Sequence, residues 1–301
     1  VVYLGVIVPR YGIRLNGGER GQTLEALFAF SLPLVPHFAL MWFINSGERF
    51  FIVHLSGLAE NGRYSAAYTI VTAMRLLYTP IAFVAFPIMV RRWESGARGH
   101  AAALVTESMR WFTFFALPAI AVLAAVGPEL LLLMSSRSFE VSATVFLLLG
   151  IGNFLFGLEQ ISVQTLFLLK KTYLATKLAL VAALFHAALC AVLVSHFSIV
   201  GAALATVLTY GIHCLLVGFS VRSVLEVSVN WSFVLRAVVS AFALFWGLQM
   251  WGSATGIVEL LTEMFCGGCA YLLLMGLTRA VTKADLLRVH ELVSERRVPP
   301  S

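Results

Sequence analysis

The sequence predicts an all-α protein, a polytopic transmembrane bundle of about eight helices, and two observations support this fold class. The first is composition: the 301 residues are 60% hydrophobic and only 12% charged, whereas soluble domains contain about 25% charged residues. The second is arrangement, because the apolar residues form successive stretches of roughly 20 residues or more, the length that crosses a bilayer. A soluble chain of this composition could not cover its own surface with polar groups.

Short polar or turn-forming segments separate the apolar stretches and set the expected helix boundaries. Several stretches approach about 30 residues, so these helices are expected to tilt, kink or extend beyond the bilayer. We expect the helices to span about 24–56, 63–90, 101–126, 140–169, 172–196, 198–222, 230–251 and 255–279.

Basic residues are concentrated in alternate loops, which predicts the orientation of the chain. The pattern fits about eight spans of the cytoplasmic membrane, with both ends of the chain in the cytoplasm. The net charge of +6 therefore reflects orientation, and we expect no nucleic-acid partner. The loops assigned to the cytoplasm hold Arg10, Arg14 and Arg20, then Arg91, Arg92 and Arg98, then Lys170 and Lys171, then Arg222, then Arg279, Lys283, Arg288, Arg296 and Arg297.

The two ends of the chain carry separate expectations. Val1–Val8 is apolar but too short to span a bilayer, and Pro9 and Arg10 follow it. We expect residues 1–23 to hold the tail of a preceding helix and a cytoplasmic loop, so that the natural protein is longer; a short interfacial segment is the alternative. Residues 281–301 are a cytoplasmic tail, either an amphipathic surface helix or a frayed charged segment.

Polar side chains recur at helical spacing inside three of the predicted helices. Ionisable groups are costly in the hydrocarbon core, so they tend to face a bundle interior or a water-filled cavity. Polar contacts that orient helices would explain any one residue, but three such stripes together favour a polar cavity. The candidate cavity residues are His37, Asn45, Glu48 and Arg49 on the first helix, Tyr64, Tyr68, Arg75 and Tyr78 on the second, and Asn153, Glu159, Gln160 and Gln164 on the fourth.

Arg75 is the strongest of these candidates for contact with an anionic substrate, because it lies about 18 Å along its helix, near mid-bilayer. Glu48 and Arg49 could instead satisfy each other. His186 and His213 stand alone on apolar helices and are interpreted as core histidines.

Little in the sequence indicates catalysis or metal binding. Cys266 and Cys269 have CxxC spacing, but no second ligand pair accompanies them, and the four cysteines all lie in apolar stretches. The sequence contains no HExxH or GxSxG motif. We therefore expect a protein that is not an enzyme and holds no metal or cofactor, with an intramembrane enzyme as a minor alternative.

Several segments occur in an order and spacing typical of one transporter family. They are Phe30–Pro36 followed by Asn45–Ile52, then Gly62–Tyr68, then Gly157–Gln160 with Lys170–Thr172, and Ile199–Thr206. Through them the chain resembles the O-antigen and exopolysaccharide lipid-carrier flippases, within the multidrug/oligosaccharidyl-lipid/polysaccharide exporter superfamily. The resemblance covers most of residues 22–222 and weakens after that.

The resemblance implies a two-lobed antiparallel helical transporter. This chain would supply the second lobe in residues 24–222 and two additional transmembrane helices in residues 223–280. The implied function is a flippase that moves a lipid-linked oligosaccharide of the undecaprenyl type through the cytoplasmic membrane by alternating access.

The same resemblance implies roles for individual residues and partners. Arg75 and Arg49 would attract the pyrophosphate, and Glu48 or Glu159 would couple an ion or proton gradient. Family members commonly have Asp-Arg where this chain has Glu48 and Arg49, which keeps the charge with a longer reach. The first lobe is absent, so transport would need a missing N-terminal lobe or a second chain, besides membrane lipid.

Two further interpretations remain open. A drug or cation exporter of the same superfamily would favour acidic over basic cavity groups, whereas these stripes hold both signs. A non-transporting membrane scaffold for cell-envelope assembly would keep its function after the charges of every stripe had been removed.

Overall fold

The computed structural model describes residues 28–222, 230–251, 256–278 and 280. Long α-helices fill these ranges, which contain no β-strand. This architecture confirms the all-α bundle predicted from composition. The predicted N-terminal loop and C-terminal tail, 1–23 and 281–301, lie outside the described residues, and the division of the chain into a lobe and two added helices stays a prediction.

Residues 28–31 are helical, and from Leu34 onward the described residues form nine α-helices, with short 3-10 turns at Thr72–Met74 and Arg137–Phe139. Their bounds are α1 Leu34–Ser46, α2 Glu48–Leu55, α3 Leu58–Val71, α4 Arg75–Glu94, α5 Arg98–Met134, α6 Ala143–Leu168, α7 Thr172–Arg222, α8 Trp231–Trp251 and α9 Ile257–Leu277. Because α1 with α2, and α3 with α4, run on as continuous segments, the described residues hold seven helical segments long and apolar enough to cross a membrane.

The longest of these segments is a helical hairpin. A straight helix of 51 residues would be about 76 Å long, more than twice the thickness of a hydrocarbon core. Ser198 breaks α7 with φ 51° and ψ −129°, and the two halves then pack side by side, since His186 contacts Thr209. The hairpin therefore supplies two candidate membrane crossings, 172–197 and 199–222, which brings the candidate crossings of the described residues to the predicted eight.

Some predicted boundaries are wrong. The third helix extends from Arg98 to Met134 instead of 101–126, because α5 continues through Pro128 without a break. The second segment begins at Leu58 instead of 63, after Gly57 turns the chain with φ 96°. That positive φ favours glycine, since a side chain would be strained there.

The helices pack around two cores. The main core surrounds α6, which packs on α5 and on both halves of the α7 hairpin. A second core joins α8 and α9 to α5, where the buried hydroxyl of Tyr271 donates to the carbonyl of Phe114 at 2.9 Å. The outer faces are apolar, as with Phe83 at 80% exposure, and such faces suit a bilayer rather than water.

Candidate functional site

Arg75 lies directly after a break in the regular α-helix of the second membrane segment. The 3-10 turn at Thr72–Met74 interrupts the helix, and Arg75 begins α4 directly after it. Its Nη2 donates to Asn45 Oδ1 at 2.6 Å and to the Tyr68 hydroxyl at 2.8 Å. The Tyr68 hydroxyl in turn donates to the Asn45 carbonyl at 3.0 Å. These bonds fix the guanidinium group between α1 and α3.

Two arginines share the ring of Tyr68. The guanidinium carbon of Arg49 lies 4.8 Å from the ring centroid, and that of Arg75 lies 5.9 Å from it. Arg75 also lies 5.0 Å from the ring of Phe156 on α6. Cation–π contacts of this kind contribute roughly 0.5–2 kcal/mol each. They hold two positive charges close together without neutralising either.

Glu48 lies behind this arginine pair and does not pair with Arg49 in the described structure. The carboxylate is 1% exposed. Its Oε1 accepts from the Tyr64 hydroxyl at 3.3 Å, and its Oε2 lies 3.6 Å from His186 Nε2. The possibility that Glu48 and Arg49 satisfy each other is therefore wrong, because the start of α2 directs their side chains to different partners.

Glu159 forms a second buried pair with a histidine. Both side chains are fully buried, with Glu159 Oε1 3.7 Å from His213 Nδ1. The other carboxylate oxygen, Oε2, accepts from Gln160 Nε2 at 2.8 Å. The pair joins α6 to the second half of the α7 hairpin.

The candidate residues divide into two layers by exposure. Side chains of the outer layer are half-buried, namely Asn45, Arg49, Arg75, Tyr78, Gln160 and Gln164. Side chains of the inner layer are buried, namely His37, Glu48, Tyr64, Tyr68, Asn153 and Glu159. A side chain must be at least partly exposed to line a cavity, and the outer layer meets that condition. That the three stripes line one polar cavity stays a prediction.

Four of these candidates are described by their contacts with residues other than the two arginines. Tyr78 meets Phe156 edge-on, with ring centroids 5.7 Å apart. Gln164 is two turns from Phe156 on the same face of α6. Asn153 donates to the Leu149 carbonyl of its own helix at 3.0 Å. His37, near the start of α1, packs edge-on against Phe167.

Sequence reasoning missed the partners that the α7 hairpin contributes. His186 and His213 are buried as predicted, but each faces a carboxylate. One signal could have revealed the arrangement. His186 and Thr209 lie at nearly equal distances along the chain from Ser198, so a tight hairpin turning at Ser198 must bring them together.

An apolar cavity of about 360 Å³ lies elsewhere, between α5 and α9. Aromatic and aliphatic side chains line it, among them Phe114, Phe115, Pro118, Phe265 and Leu272. The part of the chain that the structure describes contains no group of three or more His, Cys, Asp or Glu residues able to hold a metal ion.

Comparison with known sequences identifies one family over part of the chain. A profile of the family described as "polysaccharide biosynthesis protein" matches residues 2–144. No curated protein matches the chain significantly.

Solved structures extend the similarity to most of the chain. Lipid II flippase MurJ, in an inward closed conformation, matches with a TM-score of 0.59 and 14% identity over 89% of this chain and 54% of the flippase. An outward-facing multidrug resistance MATE family transporter of the MOP superfamily matches with a TM-score of 0.57 and 13% identity, over 89% of this chain and 68% of the transporter. This chain thus spans about half the length of the flippase.

These findings confirm the resemblance drawn from the sequence. At such low identities the two structural matches establish a shared fold and not a shared activity. The chain shares the helical fold of these two transporters, and its residues 2–144 match the profile of the polysaccharide biosynthesis protein family.

Proposed function

We propose that this chain is the second lobe of a flippase that moves a lipid-linked oligosaccharide of the undecaprenyl type across the cytoplasmic membrane by alternating access. The family profile over residues 2–144 and the fold shared with a lipid II flippase support this function. The transported molecule would serve polysaccharide or lipopolysaccharide biosynthesis. Both ends of the chain lie in the cytoplasm in this proposal, and a missing N-terminal lobe or a second chain completes the cavity.

The observation that carries the proposal is the pair of half-buried arginines around Tyr68. A pyrophosphate presents several acceptor oxygens and more than one negative charge. Guanidinium groups match such oxygens with two parallel N–H donors, and they remain charged inside a protein. Because Asn45 and Tyr68 already hold Arg75 in place, its guanidinium loses little conformational freedom when the anion binds.

The polar side chains beside the arginines fit the sugar part of the same substrate. Gln160 and Gln164 are half-buried on the helix face that also presents Phe156. Amide groups offer both donors and acceptors, which is what sugar hydroxyls need. The lipid tail remains in the bilayer while the head group crosses the lobe.

The test is substitution of Arg75 in the protein expressed from its own gene. We expect Arg75→Ala to abolish most polymer export at equal membrane abundance. Arg75→Lys should retain part of the export, because lysine keeps the positive charge but lacks the planar fork of N–H donors. Arg91→Ala is the matched control, because Arg91 is exposed near the far end of the same helix. Wild-type export by Arg75→Ala would overturn the proposed role.

A multidrug or cation antiporter is the second candidate. The fold shared with a MATE family transporter and the two buried carboxylates, Glu48 and Glu159, favour it. Efflux of a cationic dye that depends on both carboxylates but not on Arg75 would support the antiporter over the flippase.

A further inference from the structure

The apolar cavity between α5 and α9 opens on the outer face of the bundle. Of the side chains that line it, Phe265 is 73% exposed and Leu272 is 56% exposed. At Gly268 a Cβ atom would meet no other atom within 4 Å, so the cavity reaches the backbone of α9. Its volume of about 360 Å³ lies within the usual range of ligand-binding cavities, roughly 300–1,000 Å³. Because the described residues that line it carry no charge, the cavity fits an apolar chain that enters from the bilayer.

The depth of this cavity matches one leaflet of a bilayer. Helix α9 has 21 residues and is about 31 Å long, close to the thickness of a hydrocarbon core. Its last residue, Leu277, therefore lies near the lipid headgroups when α9 spans a membrane. The lining residues of α9, from Met264 to Leu272, lie about 8–20 Å from that end. Most of this range falls within the acyl chains of the adjacent leaflet, whose hydrocarbon layer is about 15 Å deep.

Two arginines lie at this same end of α9. Arg110 of α5 donates from Nη2 to the Ala280 carbonyl at 3.0 Å, and Arg236 of α8 donates from Nη1 to the Thr278 carbonyl at 2.9 Å. The guanidinium carbon of Arg110 also lies 4.9 Å from the ring centroid of Phe233, one turn before Arg236 on α8. The structure thus gathers two guanidinium groups at the level of the headgroups, beside the end of α9.

The arginines and the cavity adjoin each other. Arg110 lies one turn before Phe114 on the same face of α5, and Phe114 lines the cavity. A ligand with a phosphate against the guanidinium groups would therefore direct an attached acyl chain toward the cavity. Trp231 marks the membrane surface at this level, because it begins α8 and is 75% exposed, and tryptophan is enriched where a membrane meets water.

The net charge beside the cavity is positive. Glu107 Oε2 lies 3.7 Å from Arg110 Nη1 and offsets one of the two guanidinium charges, so Arg236 supplies the excess. Arg279 and Lys283 follow in the sequence, although both lie outside the described residues. Basic groups at a membrane surface attract anionic lipid headgroups, and phosphate oxygens are favoured acceptors for guanidinium donors. A lipid without net charge would gain less from this site.

From this geometry we propose that the chain binds one anionic phospholipid, with an acyl chain in the cavity and the phosphate against Arg110 and Arg236. The lipid bridges α5, α8 and α9 beside the bond between Tyr271 and Phe114, so it adds to the attachment of the last two helices. In the orientation proposed above, the lipid belongs to the cytoplasmic leaflet. The site is separate from the arginine pair around Tyr68, so its lipid stays in place while the substrate moves.

The test measures lipid binding to the protein expressed from its own gene, purified and delipidated in detergent. Native mass spectrometry gives the apparent Kd of dioleoyl phosphatidylglycerol and of dioleoyl phosphatidylcholine, which have the same acyl chains and differ in net charge. We expect one phosphatidylglycerol per chain. It should bind at least about fivefold more tightly than phosphatidylcholine, which is the effect of one favourable charge near a membrane surface.

Two variants separate the contribution of the charge from that of the cavity. Arg236→Gln should weaken phosphatidylglycerol binding about fivefold and leave phosphatidylcholine binding unchanged. Gly268→Leu should weaken the binding of both lipids, because the new side chain would extend into open cavity space. Arg222→Gln is the matched control for charge, at an exposed position that ends α7. Gly276→Leu is the control for size, since Gly276 also borders open space on α9 but does not line the cavity.

Equal binding of the two lipids by the wild-type chain would overturn the proposal, as would wild-type affinity in Gly268→Leu. If Arg236→Gln fails to fold, the comparison of the two lipids on the wild-type chain and on Gly268→Leu decides.

Undecaprenyl phosphate is the competitor that identifies the source of the lipid, because it also joins a phosphate to a long apolar chain. If it displaces phosphatidylglycerol at a lower concentration than isotope-labelled phosphatidylglycerol does, the cavity holds the tail of a polyprenyl lipid and the proposal is wrong. The measurement needs no transport. A chain that binds phosphatidylglycerol as expected but moves no lipid-linked oligosaccharide would overturn the proposed function and leave this site standing.

Discussion

His186 and Thr209 lie opposite each other across the α7 hairpin, with Nδ1 3.0 Å from the threonine hydroxyl although the residues are 23 positions apart. Both are buried, so the contact depends on the close approach of the two halves. That approach is set at the turn, by Ser198 and Gly201. The position of both histidines, and hence of the buried carboxylate pairs, therefore depends on a few residues near one membrane surface.

Gly201→Ala should separate the two halves of the hairpin. A methyl group at this position would overlap the backbone carbonyl of Leu193, and backbone atoms cannot move aside as a flexible side chain can. We expect a loss of about 1–3 kcal/mol in the free energy of unfolding, the usual cost of overpacking. Gly218→Ala, in open space on the same helix, should instead be neutral or stabilising by about 0.5–1 kcal/mol. Equal unfolding free energies for the two variants would contradict the packing described.

Ser198→Gly should stabilise the chain. Ser198 adopts φ 51° and ψ −129°, a sparsely populated backbone conformation that costs a residue with a side chain roughly 1–3 kcal/mol. Its buried hydroxyl also has no hydrogen-bond partner among the described residues. Thermal unfolding in detergent should give a higher midpoint than the wild type. Ser195→Gly, within the preceding helix, should lower the midpoint, because glycine weakens a helix interior.

Tyr68→Phe should loosen Arg75 without removing it. The substitution deletes the hydroxyl that accepts from Arg75 and donates to the Asn45 carbonyl. Losing a buried hydrogen-bonding group of this kind costs about 1–3 kcal/mol. Chemical unfolding of the purified chain measures the loss. Tyr173→Phe, at an exposed position, is expected to change little, and a similar effect from both would show that the Tyr68 hydroxyl has no special role.

Tyr271→Phe should weaken the attachment of α8 and α9 to α5. The Tyr271 hydroxyl is buried and donates to the Phe114 carbonyl, so its removal leaves an acceptor unsatisfied at the second core. Hydrogen–deuterium exchange should increase in α9 while α6 in the main core stays protected. Faster exchange in both helices would mean that the two cores unfold together.

The sequence predicted the helices well because their signal is local. Each stretch is long, apolar and bounded by polar residues, and the break near Ser198 was expected from the turn between two stretches. The end of α5 was missed because Gly127 and Pro128 normally mark a helix end. In the bundle, Gly127 packs directly against the buried ring of Phe146. This packing compensates for the low helix preference of Gly127 and Pro128.

The candidate site was predicted only in part because periodicity does not give the rotation of a helix. The periodicity of the sequence grouped Tyr64, Tyr68 and Arg75 on one helix face, and the structure places Arg75 and Tyr68 in contact. It could not show that Glu48 turns inward to His186 while the adjacent Arg49 turns to Tyr68. The partner of Glu48, His186, lies on the α7 hairpin, more than 130 positions further along the chain.

The most direct measurement of the central claim is translocation of a fluorescent undecaprenyl-pyrophosphate oligosaccharide in proteoliposomes that contain the protein expressed from its own gene. We expect wild-type protein to move the head group across the bilayer, and we expect Arg75→Ala to abolish the movement while Arg91→Ala does not. Wild-type protein that fails to move this substrate while transporting a cationic drug would contradict the claim.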